Sequence, residues 1–420
     1  MCFSILMMNY QALRSYCERD LPRVLDFLQQ MVAINSFTEN PAGINRLGEL
    51  TAQAFAQLGF LPRLVQAAGD RHGKHLILRR TASAARPTIG LISHLDTVFT
   101  PEEEERNGFR WRRQGSRIYG PGTNDIKGGT ALLYLMLGAL RAEARATFES
   151  TNWVVLLNAC EEVSSADFGD LCRTELRGQT RAALVFEADG GTGDVYSLVS
   201  SRKGRATFSV EVSGRGAHAG SQHKHGANAV VELADVVGRI AAITDYSSDL
   251  TVNVGSFHGG TVTNRVPHFA RAELEMRAFD ANVYAGARAR ILALSGRGHS
   301  GSPDRSSPPC DIEVKLESET QPWPPNEATE TLLEIWRQSA QEIGISLQEQ
   351  ARGGLSDGNV LWQDFPTLDG LGPRGENSHC SEQSADGSKV QEWVDTESFV
   401  PKAVLNALAI GALLRGDSGS

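Results

Sequence analysis

The stretch Thr88-Ile89-Gly90-Leu91-Ile92-Ser93-His94-Leu95-Asp96 constrains the fold more tightly than any other. An apolar run of strand length ends in His94-Leu95-Asp96, and the two-residue repeat of a strand puts His94 and Asp96 on one face. The pattern is that of a metal ligand beside the carboxylate that orients it. A second acid, Asp125, lies between the turn Gly120-Pro121-Gly122 and an apolar helix expected from about Thr130 to Leu140. An isolated Asp before a helix is an ordinary N-cap; this one stands in company.

Residues 9–35 carry helical spacing, and Asn40-Pro41-Ala42-Gly43 breaks the chain before a second amphipathic helix, Ile44 to Leu58. Strands are expected at about 74–80, 87–93 and 152–158. The alternation of apolar strands with helices implies an α/β domain, a mostly parallel sheet with helices on both faces. Ligand sites in such sheets gather at the carboxyl ends of the strands. The strand at 152–158 delivers Glu161-Glu162, and the next apolar strand, 182–186, ends in Glu187 with Asp189 two residues on. Adjacent carboxylates repel unless a cation or a shared proton relieves them. Glu187 is preferred as the ligand because it follows the strand directly, although alternation faces Asp189 the same way.

From about Lys203 alternating strands appear, with an amphipathic helix from Asn228 to Ile243, as in a smaller α+β unit with an antiparallel sheet. The Gly/Pro/Ser-rich tract 296–309 reads as a loop. Helical spacing returns at Thr329 to Ile343, followed by a strand and loop region, His379 and a last helix, roughly Thr396 to Leu414. The expected organisation is a catalytic domain in two parts, 1–201 and 317–420, interrupted by an inserted domain at 202–316.

The chain is long enough, at 420 residues and 41% apolar, for two such cores. Its 41 Lys and Arg against 50 Asp and Glu give a net charge of −9, and no basic stripe offers a footprint for nucleic acid. Six cysteines without CxxC spacing favour a reducing compartment. The opening MCFSILMMNY has no basic stretch before its apolar run, which argues against a signal peptide, and no run is expected to reach membrane-spanning length. A soluble, cytoplasmic protein acting on small molecules is the expectation. No G-x-G-x-x-G follows a strand, which excludes the usual dinucleotide site.

Taken together, Ser93-His94-Leu95-Asp96-Thr97, Asp125-Ile126-Lys127-Gly128-Gly129, Glu161-Glu162, Phe186-Glu187, Gly216-Ala217-His218-Ala219-Gly220, Asn264 with Pro267, Gly353-Gly354-Leu355-Ser356-Asp357 and His379 resemble the two-zinc metallopeptidases. That family includes bacterial glutamate carboxypeptidase, acetylornithine deacetylase, succinyl-diaminopimelate desuccinylase and aminoacylase. The resemblance implies that His94 and Glu187 hold one zinc and Glu162 and His379 the other, with Asp125 bridging and a cis peptide after it. It implies two Zn2+ per subunit, with Co2+ or Mn2+ as substitutes. Asp96 is then the carboxylate that orients His94, and Glu161 the general base. His218 matches a histidine that reaches a neighbouring subunit's site through the inserted lid and dimerisation domain. Asn264, Arg277, Gly353 and Gly354 match substrate-binding positions.

Two departures stand out. Cys160 occupies a position that is often Asp, and the segment after His379, from Cys380 to Lys389, reads as an insertion. The function implied is hydrolysis of an amide next to a free α-carboxylate, in a small peptide or N-acyl amino acid, with glutamate one candidate for the released residue. A deacylase removing acetyl or succinyl groups is the alternative. A non-catalytic dimeric binding protein on the same fold is a poorer one, since all five proposed ligands and Glu161 are present.

Overall fold

Alternate residues of the central strands go to opposite cores, which is why their sequences read as unbroken apolar runs. In the computed structural model, which describes residues 8–69, 71–163, 166–305 and 308–415, strands Thr88–His94 and Asn152–Asn158 are buried along their whole length. Leu91, Val155 and Leu157 join a core with helices Tyr10–Val32, Lys127–Glu143, Glu327–Glu342 and Phe399–Arg415. Ile92, Val154 and Leu156 face the other way, against Phe168, Cys172 and Leu176. Helices therefore cover both faces.

The sheet runs in the order Leu61–Gln66, Lys74–Arg80, Asn152–Asn158, Thr88–His94, Thr180–Val185, Thr367–Leu368. Its last four strands are mutually parallel, and the first two add on antiparallel, so the sheet is mostly parallel, as expected. His94 lies opposite Asn158 in the register. The turn at 159–162 consequently leaves the sheet beside His94.

Packing of helix Lys127–Glu143 requires glycine at its start. A Cβ on Gly129 would sit 2.0 Å from the Phe186 carbonyl oxygen, at the end of the neighbouring strand. The Asp125–Ile126 peptide just before this helix is cis. A small second sheet was not expected from the sequence: Gly375–Glu376, Trp393–Asp395, Arg117–Tyr119 and Arg112–Gln114 pair in that order.

The last helix corrects one expectation. Thr396–Arg415 is long and apolar enough to cross a membrane by length and composition, but 67% of that apolar window is buried inside the protein. Its buried face includes Lys402 and Asn406, each bonded to core partners, which marks it as a core helix. Among the described residues, Cys17, Cys172, Cys310 and Cys380 are free thiols. Cys2 and most of the opening segment lie outside the described residues.

By its internal contacts the chain divides into two units, the described parts of Met1–Ser200, Pro325–Ala351 and Ser356–Ser420 forming the first, and Ser201–Pro324 with Arg352–Leu355 the second. The expected end of the insert at 316 falls inside strand Asp311–Thr320. Residues 352–355 join this unit because Arg202 donates to the Gly354 and Leu355 carbonyls, at 3.1 and 3.0 Å, and Arg277 to that of Gly353, at 3.1 Å.

The second unit is a five-stranded antiparallel sheet, ordered Thr251–Gly259, Phe269–Ala278, Gly204–Ser213, Asp311–Thr320, Gly296–Arg297. Helices Ala229–Ala241 and Ala281–Leu292 bury Leu233, Val236, Tyr284 and Ile291 against one face, with Ala272, Leu274 and Met276 of the sheet. The opposite face, carrying Arg271, Glu273, Glu275 and Arg277, stays partly wet.

Candidate active site

Asp125 presents one oxygen to each of two imidazoles. Its Oδ1 lies 3.0 Å from His94 Nε2 and its Oδ2 3.4 Å from His379 Nε2. Glu187 flanks the first histidine, 3.6 Å from His94 Nε2, and Glu162 the second, 3.2 Å from His379 Nε2. The five residues come from five separate chain segments, and three of them, His94, Glu162 and Glu187, lie at or just beyond the carboxyl ends of parallel strands. His379 is half exposed, while the other four are largely buried.

This donor set fits divalent cations. Three carboxylates crowd two imidazoles, and Glu162 Oε1 is buried with no hydrogen-bond partner among the described residues. A dry, unpaired carboxylate oxygen is costly, and a cation relieves that cost. Oxygen and imidazole donors suit zinc and its neighbours. The protonation pattern agrees. Burial alone would lower His94, but Asp125, Asp96 and Glu187 outweigh it and raise the ring well above its ordinary value. Hydrogen bonds to Asp125 and Glu162 push His379 up to about 11. Each proton sits on a nitrogen that a cation would take.

Asp96 meets His94 through its backbone carbonyl as well as its carboxylate. His94 Nδ1 donates to the Asp96 backbone carbonyl at 3.0 Å, with the carboxylate farther off at 3.5 Å. A carbonyl only accepts, so this bond fixes the proton on Nδ1 and turns Nε2 towards Asp125. The carboxylate itself accepts the backbone N–H groups of Glu161 and Glu162, at 3.0 and 3.2 Å, and the Thr38 hydroxyl at 2.8 Å. It therefore aims the acidic pair. Burial, with Asp357, Glu187 and Glu162 adding to it against the pull of His94, pushes the Glu161 carboxyl well above its usual range, as a proton-accepting residue requires.

Between the two acids after the third strand, the surroundings favour Glu187. Asp189 is fully buried elsewhere, accepting from the Ser197 backbone and hydroxyl at 2.9 and 3.0 Å and pairing with Lys402 Nζ at 2.9 Å. Cys160, in the place often held by Asp, is buried with its backbone N–H on Asn158 Oδ1 at 3.0 Å.

His218, Asn264, Arg277, Gly353 and Gly354 all belong to the second unit, and the ligand set to the first. His218 Nδ1 accepts from the N–H groups of Gly220 and Ser221, both at 3.1 Å, so its proton resides on Nε2, leaving that nitrogen a donor. The Asn264 carbonyl holds the Ala219 N–H at 2.9 Å. Arg277 is engaged by Glu275, Nε to Oε1 at 2.9 Å and Nη2 to Oε2 at 3.2 Å. That partner had no mark in the sequence beyond sharing a strand face at i−2.

Sequence reasoning also missed Glu392, buried behind Asp125, whose carboxyl is pushed up to about 8 by burial and by Asp125. A second group of ligand types, His75, Cys160 and Asp167, lies within 4.8 Å of one another but is already satisfied. His75 Nδ1 accepts from the Ala159 N–H at 3.0 Å, so Nε2 carries the proton donated to Asp167 at 3.1 Å. No lone pair is left on that ring for a cation.

Comparison with known proteins agrees with the geometry. The chain is 26% identical to carboxypeptidase G2 of Pseudomonas sp. (strain RS-16) over 388 residues, covering 92% of this chain and 88% of that protein. It is 26% identical to acetylornithine deacetylase of Klebsiella pneumoniae (strain 342) over 279 residues, 62% of this chain and 69% of the relative. The crystal structure of aminopeptidase PepT from Bacillus cereus ATCC 10987 superposes with a TM-score of 0.73 at 22% identity, covering 94% of this chain and 98% of that one. The model of Peptidase family M20/M25/M40 matches residues 90–400. With that match spanning most of its length, the chain belongs to Peptidase family M20/M25/M40 and is a metal-dependent hydrolase.

Proposed function

We propose that this chain is a two-zinc carboxypeptidase-type amidohydrolase that cleaves an amide next to a free α-carboxylate. The observation that carries the reading is Asp125, with one oxygen to each histidine and one further carboxylate beside each ring. His94 and Glu187 would hold one ion and Glu162 and His379 the other. Bound there, divalent ions polarise the scissile carbonyl and acidify water.

The remaining steps fall to the chain's own groups. Glu161, set by the Asp96 carboxylate on its backbone N–H, takes a proton from the attacking water and passes it to the leaving amine. His218 donates from Nε2 to the developing oxyanion, where a preorganised donor is worth most. In the family this histidine serves a neighbouring subunit, and we extend that to a homodimer here. Arg277 receives the substrate α-carboxylate in place of Glu275, bidentately, with Asn264 and the Gly353-Gly354 backbone lining the same end.

Similarity to carboxypeptidase G2 over most of both chains favours release of a C-terminal amino acid, glutamate among the candidates. Similarity to acetylornithine deacetylase supports the second reading, removal of a small acyl group. Amine release by zinc-loaded protein from N-acetyl, N-succinyl and N-aminoacyl derivatives of glutamate, ornithine, leucine and alanine separates them. Turnover that follows the C-terminal residue whatever the acyl partner establishes the carboxypeptidase. Turnover that follows the acyl group establishes the deacylase.

A further inference from the structure

We propose that Glu392 is the positioning residue of the metal centre, holding Asp125 and His379 in register by gripping the backbone of both their loops; the inference rests on the two-metal reading above. Glu392 is fully buried. Its Oε1 accepts the backbone N–H groups of Asn124 at 2.8 Å and Asp125 at 3.2 Å, two bonds converging on the peptide that carries the bridging acid. Its own N–H donates to the Cys380 carbonyl at 2.8 Å, immediately after His379, and its carbonyl accepts the Gly120 N–H at 3.4 Å.

Topology explains the reach. Glu392 immediately precedes strand Trp393–Asp395, the member of the small sheet that lies between Arg117–Tyr119 and Gly375–Glu376. The first neighbour runs on into the turn that delivers Asp125, and the second into the turn that delivers His379. One residue thus sits between the two loops whose side chains must face each other across a few ångströms.

The His379 loop departs from ordinary backbone geometry where Glu392 meets it. Asn377 and His379 adopt left-handed backbone, φ 63° and 67°, a conformation uncommon outside glycine though Asn and His take it more readily than most side chains. The Cys380–Glu392 hydrogen bond also closes the base of the inserted segment. Gln391 adds a second tie there, donating to the Ser381 and Asn107 carbonyls at 3.0 and 3.2 Å. The insertion after His379 is therefore an excursion that returns to the same place, and the loop that most obscured the sequence leaves the centre intact.

The test uses full-length protein stripped of metal and titrated with Zn2+ against a chromophoric chelator, with circular dichroism on the same samples. Glu392→Gln and Glu392→Ala are compared with Glu382→Ala, at an exposed point of the excursion. With the fold retained, zinc affinity is expected to fall about 10–100-fold in Glu392→Ala, as for residues that orient ligands from behind, less in Glu392→Gln, and not at all in Glu382→Ala. Should Glu392→Ala fail to fold, the Gln variant decides. Wild-type affinity in the folded Glu392 variants overturns the proposal, as does an equal loss in Glu382→Ala. If the wild-type chain itself binds no zinc, the two-metal reading falls, and this inference with it.

Discussion

The proposed mechanism places two jobs on separate residues around Asp125, ligation and proton transfer, and substitutions distinguish them. Glu161→Gln keeps shape but cannot take a proton, so kcat is expected to fall about 10²–10⁴-fold while bound metal, measured by elemental analysis, stays at the wild-type level. Metal lost in proportion to activity would make Glu161 a ligand instead. The histidines give a pH dependence with a definite sign. In the metal-free chain His94 lies well above its ordinary value and His379 at about 11, so both rings hold protons at neutral pH that an incoming ion must expel. Apparent zinc affinity therefore rises with pH through the neutral range and drops as acid is added. Zinc titrations in buffers of different ionisation enthalpy check this: the heats track the buffer if protons leave, and equal heats refute it. At the other end of the substrate, Glu275 competes for the fork of Arg277. Glu275→Gln is expected to lower KM for α-carboxylate substrates about two- to fivefold, the worth of a part-exposed ion pair, without changing kcat or the turnover of carboxyl-esterified substrates. An Arg277→Met variant with unaltered KM would remove Arg277 from the site altogether.

Among the elements, the parallel strands were legible and the small sheet was not, for a physical reason. A strand buried on both faces must be apolar along its length, so 88–94 and 152–158 announced themselves and their ends pointed to His94, Glu161 and Glu162. Strands of two or three residues, such as 375–376 and 393–395, have no period to display, and Glu392 acts on backbone groups that a sequence does not show. Asp96 illustrates the same limit: its place beside His94 was readable, yet its carboxylate's hold on the 161–162 backbone and its carbonyl's bond to His94 were not. The last helix carries a further unread element in Lys402. Its Nζ pairs with Asp189 at 2.9 Å and donates to the carbonyls of Ser197 at 3.1 Å and Gly370 at 2.8 Å. Lys402→Met preserves the stem but strands a buried carboxylate two residues from Glu187. A loss of about 3–5 kcal/mol in urea unfolding is expected, part of it recovered in Lys402→Met/Asp189→Asn, where the charge is gone. No recovery in the double variant would mean that packing of the stem, rather than the pair, holds this helix.

At the scale of the molecule, the ligand set belongs to one unit and His218, Asn264 and Arg277 to the other; the function proposed above draws on residues of both. Whether a given site takes its His218 from its own chain or from a partner is decided by mixing. His218→Ala and Glu161→Ala are each expected to be nearly inactive alone, the first lacking the oxyanion donor and the second the base. If the chain is a dimer whose lids serve each other's sites, dissociating and reassociating an equimolar mixture makes half the dimers mixed. In each mixed dimer one site joins an intact Glu161 to an intact His218 of the partner. About a quarter of wild-type activity should then return, with kcat/KM per restored site at the wild-type value and sedimentation showing dimers throughout. If His218 serves its own chain, every site in every mixed dimer lacks either the donor or the base, and activity stays at the level of the separate variants however long exchange proceeds. The wild-type chain assayed at rising dilution adds a second discriminant. Trans action makes activity collapse together with the dimer, whereas cis action lets monomers keep it.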